Sequence, residues 1–286
     1  MLYQKTGRER QMILIESKDN PRYKALLALK KARQAKKEQL MILEGPRPLM
    51  DLAAAGRLPR TLIFSQDDKG DRAARELLGP GGVFEGKMDP DQLIRLPAHL
   101  FRQASAHKTD QGVMALIHLP VRDLGDWLDR KLQDQDPCRI LILESVQDPG
   151  NVGSLIRTAD ALGWQAVILM GDSASIYNPK TLAASMGSLL HMALFEVQGP
   201  VESLLEDLKA RGIKLLGAAL GGQALEEDWA YDKKLALMLG NEGKGLSDQA
   251  LAAADGLLAI PMQGGVQSLN VAAAGAILLW EAIRNL

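Results

Sequence analysis

The sequence predicts an α/β protein whose second half is built on a mostly parallel sheet and whose first half is a smaller α/β domain. Three observations predict it. From Arg139 onward, apolar runs of strand length alternate with helix-patterned segments, the rhythm of a sheet crossed by helices. Runs such as Ile140-Leu141-Ile142-Leu143 are continuously apolar, as strands covered on both faces are. The 286 residues, 47% of them hydrophobic, suffice for about two domains.

The first half, 1–120, mixes short apolar runs with charged helices. Asn20-Pro21 is a helix start, with Asn20 as N-cap and Pro21 at the first helical position. The helix that follows carries Leu26, Leu27 and Leu29, then Lys30, Lys31, Arg33, Lys36 and Lys37. Met41-Ile42-Leu43-Glu44-Gly45 reads as a strand ending in a turn, Pro48–Ala55 as a helix and Thr61–Phe64 as a strand. Asp67–Gly70 and Gly79–Gly82 read as loops. Gln111–Leu119 reads as the last strand, and the polar stretch 121–137 as a linker.

The second domain, 138–286, has the clearer rhythm. Strands are expected at Arg139–Leu143, Gln165–Met170, Met192–Val197, Ile213–Ala219, Leu235–Leu239 and Leu257–Ile260. Helices are expected at Gly153–Leu162, Pro179–Leu190, Val201–Ala210 and Asp248–Ala254, with a closing helix from Ser268 to Arg284. Internal repeats and low-complexity tracts are absent from the sequence.

Composition narrows the class of protein. A net charge of −1 with 24% charged residues gives no global basic signature, so any affinity for nucleic acid must come from local patches. The single cysteine, Cys138, suits a reducing compartment, and the four scattered histidines lack metal-ligand spacing, so no metal is expected. Met1–Arg10 lacks the apolar core of a secretory signal. The longest apolar run, Val271–Trp280, is about half of the ~20 residues a membrane span needs. A cytoplasmic protein with no membrane partner is the expectation.

Three segments of the second domain share one design, in which an apolar strand breaks into a loop before a helix. Ligands of open α/β sheets collect at such strand ends. The first segment, Glu144–Thr158, places Asn151 and Arg157 about the loop–helix junction. An arginine there suits a phosphate fork or is simply a solvated helix residue. The second, Gly240-Asn241-Glu242-Gly243-Lys244-Gly245, implies left-handed backbone or close approach to a ligand. It is not a P-loop, because no Lys-Ser/Thr pair follows the last glycine. The third runs Ile260-Pro261-Met262 to Ser268-Leu269-Asn270, where Ser268 and Asn270 are equally ordinary helix caps.

Together, and in this order, these segments resemble the three motifs of the SpoU family within the SPOUT superfamily of RNA methyltransferases. The first is similar to Asn-x-Gly-x-x-x-Arg, as Asn151, Gly153 and Arg157. The second is similar to Leu-Gly-x-Glu-Gly-x-Gly, as Leu239–Gly245. The third is similar to Ile-Pro-Met…Ser-Leu-Asn-Val, as Ile260–Met262 and Ser268–Val271. Asn178-Pro179-Lys180 and Ala184–Gly187 look like a further family segment. The resemblance covers roughly Arg139 to Leu286. More loosely, Asn20-Pro21…Lys24…Leu29 and Leu43–Arg47 resemble the small ribosomal-protein-like domain that often precedes the catalytic one.

The resemblance implies a SPOUT fold with a C-terminal trefoil knot over about Leu215–Asn270, a homodimer, and S-adenosyl-L-methionine as methyl donor. It implies donor contacts at Gly240, Asn241, Gly243, Ile260, Met262 and Leu269, with Ala218–Leu220 as a further wall. It implies transfer to a ribose 2′-hydroxyl, Arg157 standing where the family's catalytic arginine maps. Arg157 would orient the hydroxyl and a phosphate and stabilise developing alkoxide, or itself take the proton. Asn151 would orient Arg157 or the ribose, Ser268 and Asn270 would shape both sites, and Glu242 would contact Arg157 or RNA or stabilise its own turn. Lys24, Lys30, Lys31, Arg33 and Lys37 would bind RNA phosphates, unless they are a solvated helix face. Ribosomal RNA is favoured as substrate over transfer RNA; the rival is a non-catalytic RNA-binding assembly factor that kept the fold.

Overall fold

The structure is a computed structural model that describes residues 12–107, 109–119, 123–133, 137–223, 233–262, 264–265 and 268–284. It divides into two compact units, Met1–Pro120 and Val121–Leu286.

The first unit runs β1 (Ile13–Leu14), α1 (Pro21–Ala28), α2 (Ala32–Glu38), β2 (Leu40–Glu44), α3 (Pro46–Ala54), β3 (Thr61–Gln66), α4 (Asp68–Leu78), β4 (Leu93–Pro97), α5 (Ala98–Ala104) and β5 (Val113–His118). Its sheet has the order β1-β4-β3-β5-β2, with β5 antiparallel to both neighbours and the other pairs parallel. Asn20 caps α1 by accepting the Arg22 N–H at 2.8 Å, next to Pro21. The single basic helix expected there is two short ones, because the chain breaks after Leu29 and α2 closes on left-handed Gln39 (φ 52). Asp67–Gly70, expected as a loop, instead opens α4, since the Asp67 carboxylate accepts the N–H groups of Lys69 and Gly70 at 3.1 Å each. Gly70 is required, because a Cβ there would stand 1.9 Å from the Ser65 carbonyl oxygen. β4 and α5 went unanticipated, since Leu93–Pro97 is short and interrupted by Arg95.

The second unit runs α6 (Leu124–Gln133), β6 (Cys138–Glu144), α7 (Pro149–Ala161), β7 (Ala166–Met170), α8 (Pro179–Ser185), β8 (Ala193–Glu196), α9 (Val201–Ala210), β9 (Lys214–Gln223), β10 (Lys234–Leu239), α10 (Asp248–Ala253), β11 (Gly256–Leu258) and α11 (Val271–Glu281). The sheet order is β11-β9-β10-β6-β7-β8, and every neighbouring pair is parallel. Alternation along the strands separates two faces. Ile140 and Ile142 of β6 and Ala236 and Met238 of β10 join Trp127, Leu128, Leu204, Leu205 and Leu208 in one core, so α6 and α9 cover that face. Leu239 points the other way, against α11, where a Cβ on Gly275 would meet its side chain and that of Leu155.

Four expectations need correction here. The stretch 121–137 is not a bare linker, since it holds α6, whose Trp127 and Leu128 are buried in the second unit's core. The helix expected from Gly153 begins at Pro149, capped by Asp148, whose carboxylate accepts the Asn151 N–H at 2.8 Å. The helix expected over Pro179–Leu190 stops at Ser185, where Met186 and Gly187 both turn left-handed. α11 likewise starts later than Ser268, with Asn270 outside it as cap.

Candidate functional site

The site grows from the carboxyl ends of β6 and β10, adjacent in the sheet. Beyond β10 the chain folds into a tight turn in which Asn241 and Gly245 exchange backbone hydrogen bonds of 3.0 and 2.9 Å. Gly240 must lack a side chain, because a Cβ would stand 2.1 Å from the Gly245 carbonyl carbon. The Asn241 side chain holds the turn from both sides. Its carboxamide oxygen accepts the Gly243 and Lys244 N–H groups at 3.0 and 3.1 Å, and its nitrogen donates to the Ser145 carbonyl at 2.9 Å. The turn is thereby fastened to the end of β6, where Ser145 takes a left-handed backbone (φ 57) unusual for a serine.

A chain of side-chain hydrogen bonds then joins all three segments. The Glu242 carboxylate accepts from the Asn151 side-chain nitrogen at 3.1 Å and from the Gln147 and Asp148 N–H groups at 3.4 Å each. The Asn151 side-chain oxygen accepts from the Asn270 nitrogen at 3.1 Å. The Asn270 oxygen in turn caps α11, accepting from Ala272 and Ala273 at 2.8 and 3.4 Å. Asn151 and Asn270 are each used at both ends of their carboxamides, which fixes their orientation. Burial pushes the Glu242 carboxyl up, but hydrogen bonds from Asn151, its own backbone N–H, Gln147 and Asp148 outweigh it and hold it below the ordinary carboxylate range.

The structure thus brings Asn151, Asn241, Glu242 and Asn270 together, with Gly240 and Gly243 shaping the turn between them. Arg157 stands apart from this chain. It is exposed on α7, roughly 9 Å along the axis from Asn151 at about 1.5 Å per residue, and its side chain makes no hydrogen bond or ion pair among the described residues. Ile260 and Met262 are half-buried in irregular chain after β11, and Ser268 and Leu269 are exposed just before the α11 cap. In the first unit Lys24 pairs with Asp19 at 3.0 Å. Lys30 donates to the Gln103 and Ser105 carbonyls at 2.9 and 3.0 Å, whereas Lys31, Arg33 and Lys37 are exposed. Among the described residues no cluster of three metal-ligating side chains occurs.

Sequence reasoning missed Glu144, Ser145 and Ser247. Glu144, buried at the end of β6, accepts the Ser247 N–H at 3.0 Å. No motif spacing announces this contact, because it spans 103 positions. A pocket of about 250 Å³ lies beside it, lined by Glu144, Met170, Gly199, Val201, Glu202 and Ser247 among others. None of the Asn151–Glu242–Asn270 chain lines it, so it is not the clustered site.

A helix-covered parallel sheet whose strand exits gather polar side chains round a glycine turn defines an α/β protein built to bind at its strand ends. The comparisons make the class specific. A family model described as the SpoU rRNA Methylase family matches residues 139–280. The 23S rRNA (guanosine(2553)-2′-O)-methyltransferase RlmP of Bacillus subtilis is 35% identical over 190 residues, covering 66% of this chain and 72% of its own. The 23S rRNA (uridine(2479)-2′-O)-methyltransferase of Streptomyces viridochromogenes is 32% identical over 267 residues, covering 92% and 88%. The crystal structure of the SpoU methyltransferase AviRb from Streptomyces viridochromogenes in complex with the cofactor AdoMet superposes with a TM-score of 0.77 at 29% identity, covering 93% of this chain and 98% of that one. The chain belongs to the SpoU methylase family.

Proposed function

We propose that this protein transfers a methyl group from S-adenosyl-L-methionine to a ribose 2′-hydroxyl in structured ribosomal RNA. The observation that carries the reading is the hydrogen-bond chain Glu242–Asn151–Asn270, which joins three segments spread over more than a hundred residues into one site. The named activities of the relatives point to the same reaction and the same RNA class.

The turn fits the donor. Gly240 lets the turn close on itself, while Gly243 and Gly245 leave backbone bare at the strand exit, and a Cβ on Gly245 would meet nothing within 4 Å. Backbone groups there, with Asn241, Ile260, Met262 and Leu269, would hold it. S-adenosylmethionine, when bound, supplies a methyl group already activated on a sulfonium, so the protein's part is position and proton management. Asn151 is held by Glu242 and Asn270 and keeps the start of α7 in register with the turn. Arg157, unpaired among the described residues and exposed on the same helix, is free to grip a phosphate and the attacking oxygen. A guanidinium holds its proton too tightly to be a good base in water, so its part is to orient and to stabilise developing negative charge. Ser268 borders the acceptor side.

Three features complete the reading. The C-terminal segment threads a knot, which the path supports: β11 lies at the sheet edge, two strands from β10, yet α11 returns to Leu239 and Leu155. The active form is a homodimer, supported by α11, which is apolar all round yet leaves Ile277 40% and Trp280 53% exposed. The first unit binds RNA phosphates in the cytoplasm through Lys24, Lys30, Lys31, Arg33 and Lys37, of which Lys31, Arg33 and Lys37 are the least engaged within the chain. Mass-spectrometric mapping of 2′-O-methyl sites, in RNA from cells with and without the gene, tests the whole. One ribosomal RNA site should vanish. A lost transfer RNA site changes the substrate, and no lost site sinks the enzymatic reading.

A further inference from the structure

We infer that Glu144 is a positioning residue for the methyl donor, bracing the far end of the glycine turn while Ser145 braces the near end. The inference rests on the donor site proposed above. The turn has two feet. At its start, Asn241 donates to the Ser145 carbonyl at 2.9 Å. At its end, the Ser247 N–H donates to a Glu144 carboxylate oxygen at 3.0 Å. Both anchors are neighbours on one strand end, so the chain between the two feet cannot drift relative to β6 without breaking a bond.

Several observations support a brace over incidental packing. Glu144 is only 9% exposed, and no ion pair to it occurs among the described residues, so a carboxylate is kept largely out of water for the sake of one backbone N–H. Burying a charge in this way is costly unless it is hydrogen-bonded. Ser145 accepts a left-handed backbone (φ 57) to deliver its carbonyl, a conformation disfavoured for a residue with a side chain. Its hydroxyl is tied back by the Asp172 N–H at 3.2 Å, which holds that conformation in place. Ser247 also caps α10, accepting the Ala250 N–H at 3.1 Å, so the far foot is rigid. Neither anchor lies in the Glu242–Asn151–Asn270 chain or touches Arg157, so the brace reaches that chain only through Glu242, which hydrogen bonds to Asn151, Gln147 and Asp148 hold separately.

The experiment is calorimetry of S-adenosylmethionine binding with steady-state kinetics on the full chain. Glu144→Met keeps the side chain's reach but removes the acceptor. It should weaken donor binding about ten- to a hundredfold, the range of a hydrogen bond to a charged group, and raise the donor KM while kcat and RNA affinity stay unchanged. Glu144→Gln keeps an acceptor oxygen and should lie closer to the wild type than to the Met variant. Ser247→Pro removes the same bond from the other side, and Ser247 already has a φ of −65 that proline adopts. Measured against Ser247→Ala, which loses only the helix cap, it should reproduce the Met effect, and the double variant should add nothing further. Wild-type donor affinity in Glu144→Met, equal losses in kcat and KM, or additive losses in the double variant would overturn the brace alone. A wild-type protein that binds no S-adenosylmethionine overturns the functional reading, and the brace with it.

Discussion

Arg157 and Glu242 differ in how far the fold engages their side chains. Arg157 is exposed and unpaired among the described residues, so Arg157→Ala should leave donor binding by calorimetry intact while turnover falls by about 10²–10³ or more, as when one transition-state donor is removed. Near-normal turnover would refute that role. Glu242, by contrast, is engaged on four hydrogen-bond donors that hold its carboxyl below the ordinary range. A depressed folded value contributes stability that is fully present above the unfolded pKa of roughly 4.3 and is lost as pH falls through the folded value. The melting temperature of Glu242→Gln should therefore lie below wild type at neutral pH. The two should converge in acid, below that lower value. Asn151, Glu242 and Asn270 are legible in the sequence as motif letters, but not as a chain, since each also reads as an ordinary cap or turn residue. The structure shows that Asn270 does both jobs at once.

At the level of elements, the crossing of α7 with α8 and α11 decides how closely the motifs meet. A Cβ on Gly153 would stand 2.4 Å from the Thr181 carbonyl oxygen and 2.6 Å from the Ala184 methyl carbon, so two helices would have to part. A Cβ on Gly275 would meet the Leu155 and Leu239 side-chain ends at 2.3 and 2.7 Å, which rotate away more easily than backbone moves. Gly153→Ala should accordingly cost about 1–3 kcal/mol and Gly275→Ala less, as read from denaturant unfolding. The reverse order would mean that α11, not α8, is the rigid partner. Strand and helix rhythm in this half was legible because buried parallel strands are continuously apolar. The starts of α8, α9 and α10 were legible as well, but that of α7 was not, because Pro149 and Asp148 look like loop residues until the Asp148 carboxylate is seen to cap α7. β4 was illegible for a different reason, since its character comes from being paired between β1 and β3.

For the whole molecule, an apolar α11 with Ile277 and Trp280 left in water is the feature a second copy of the chain would cover. Trp280→Glu should convert a dimer to a monomer by light scattering, with the monomeric unit still folded by circular dichroism. A wild-type monomer would remove that reading. RNA affinity should depend on Lys31, Arg33 and Lys37 more than on Lys30, whose ammonium is tied to the Gln103 and Ser105 carbonyls. Neutralising the first three should flatten the salt dependence of binding, by roughly 0.9 in slope for each phosphate they had neutralised on a duplex, or 0.7 on a single strand. An unchanged slope would leave them as solvated helix faces.

The sequence by itself determined the α/β class and the strand rhythm of the second half, along with the three motif segments that place the chain in its family. These are local properties, carried by apolar periodicity and by turn and cap chemistry within a few residues. Tertiary structure alone decided that α6 packs into the second unit's core and that Glu144 and Ser145 grip the chain at either end of the glycine turn. Each of those depends on groups dozens to more than a hundred positions apart, which only a folded sheet brings within hydrogen-bond or packing distance.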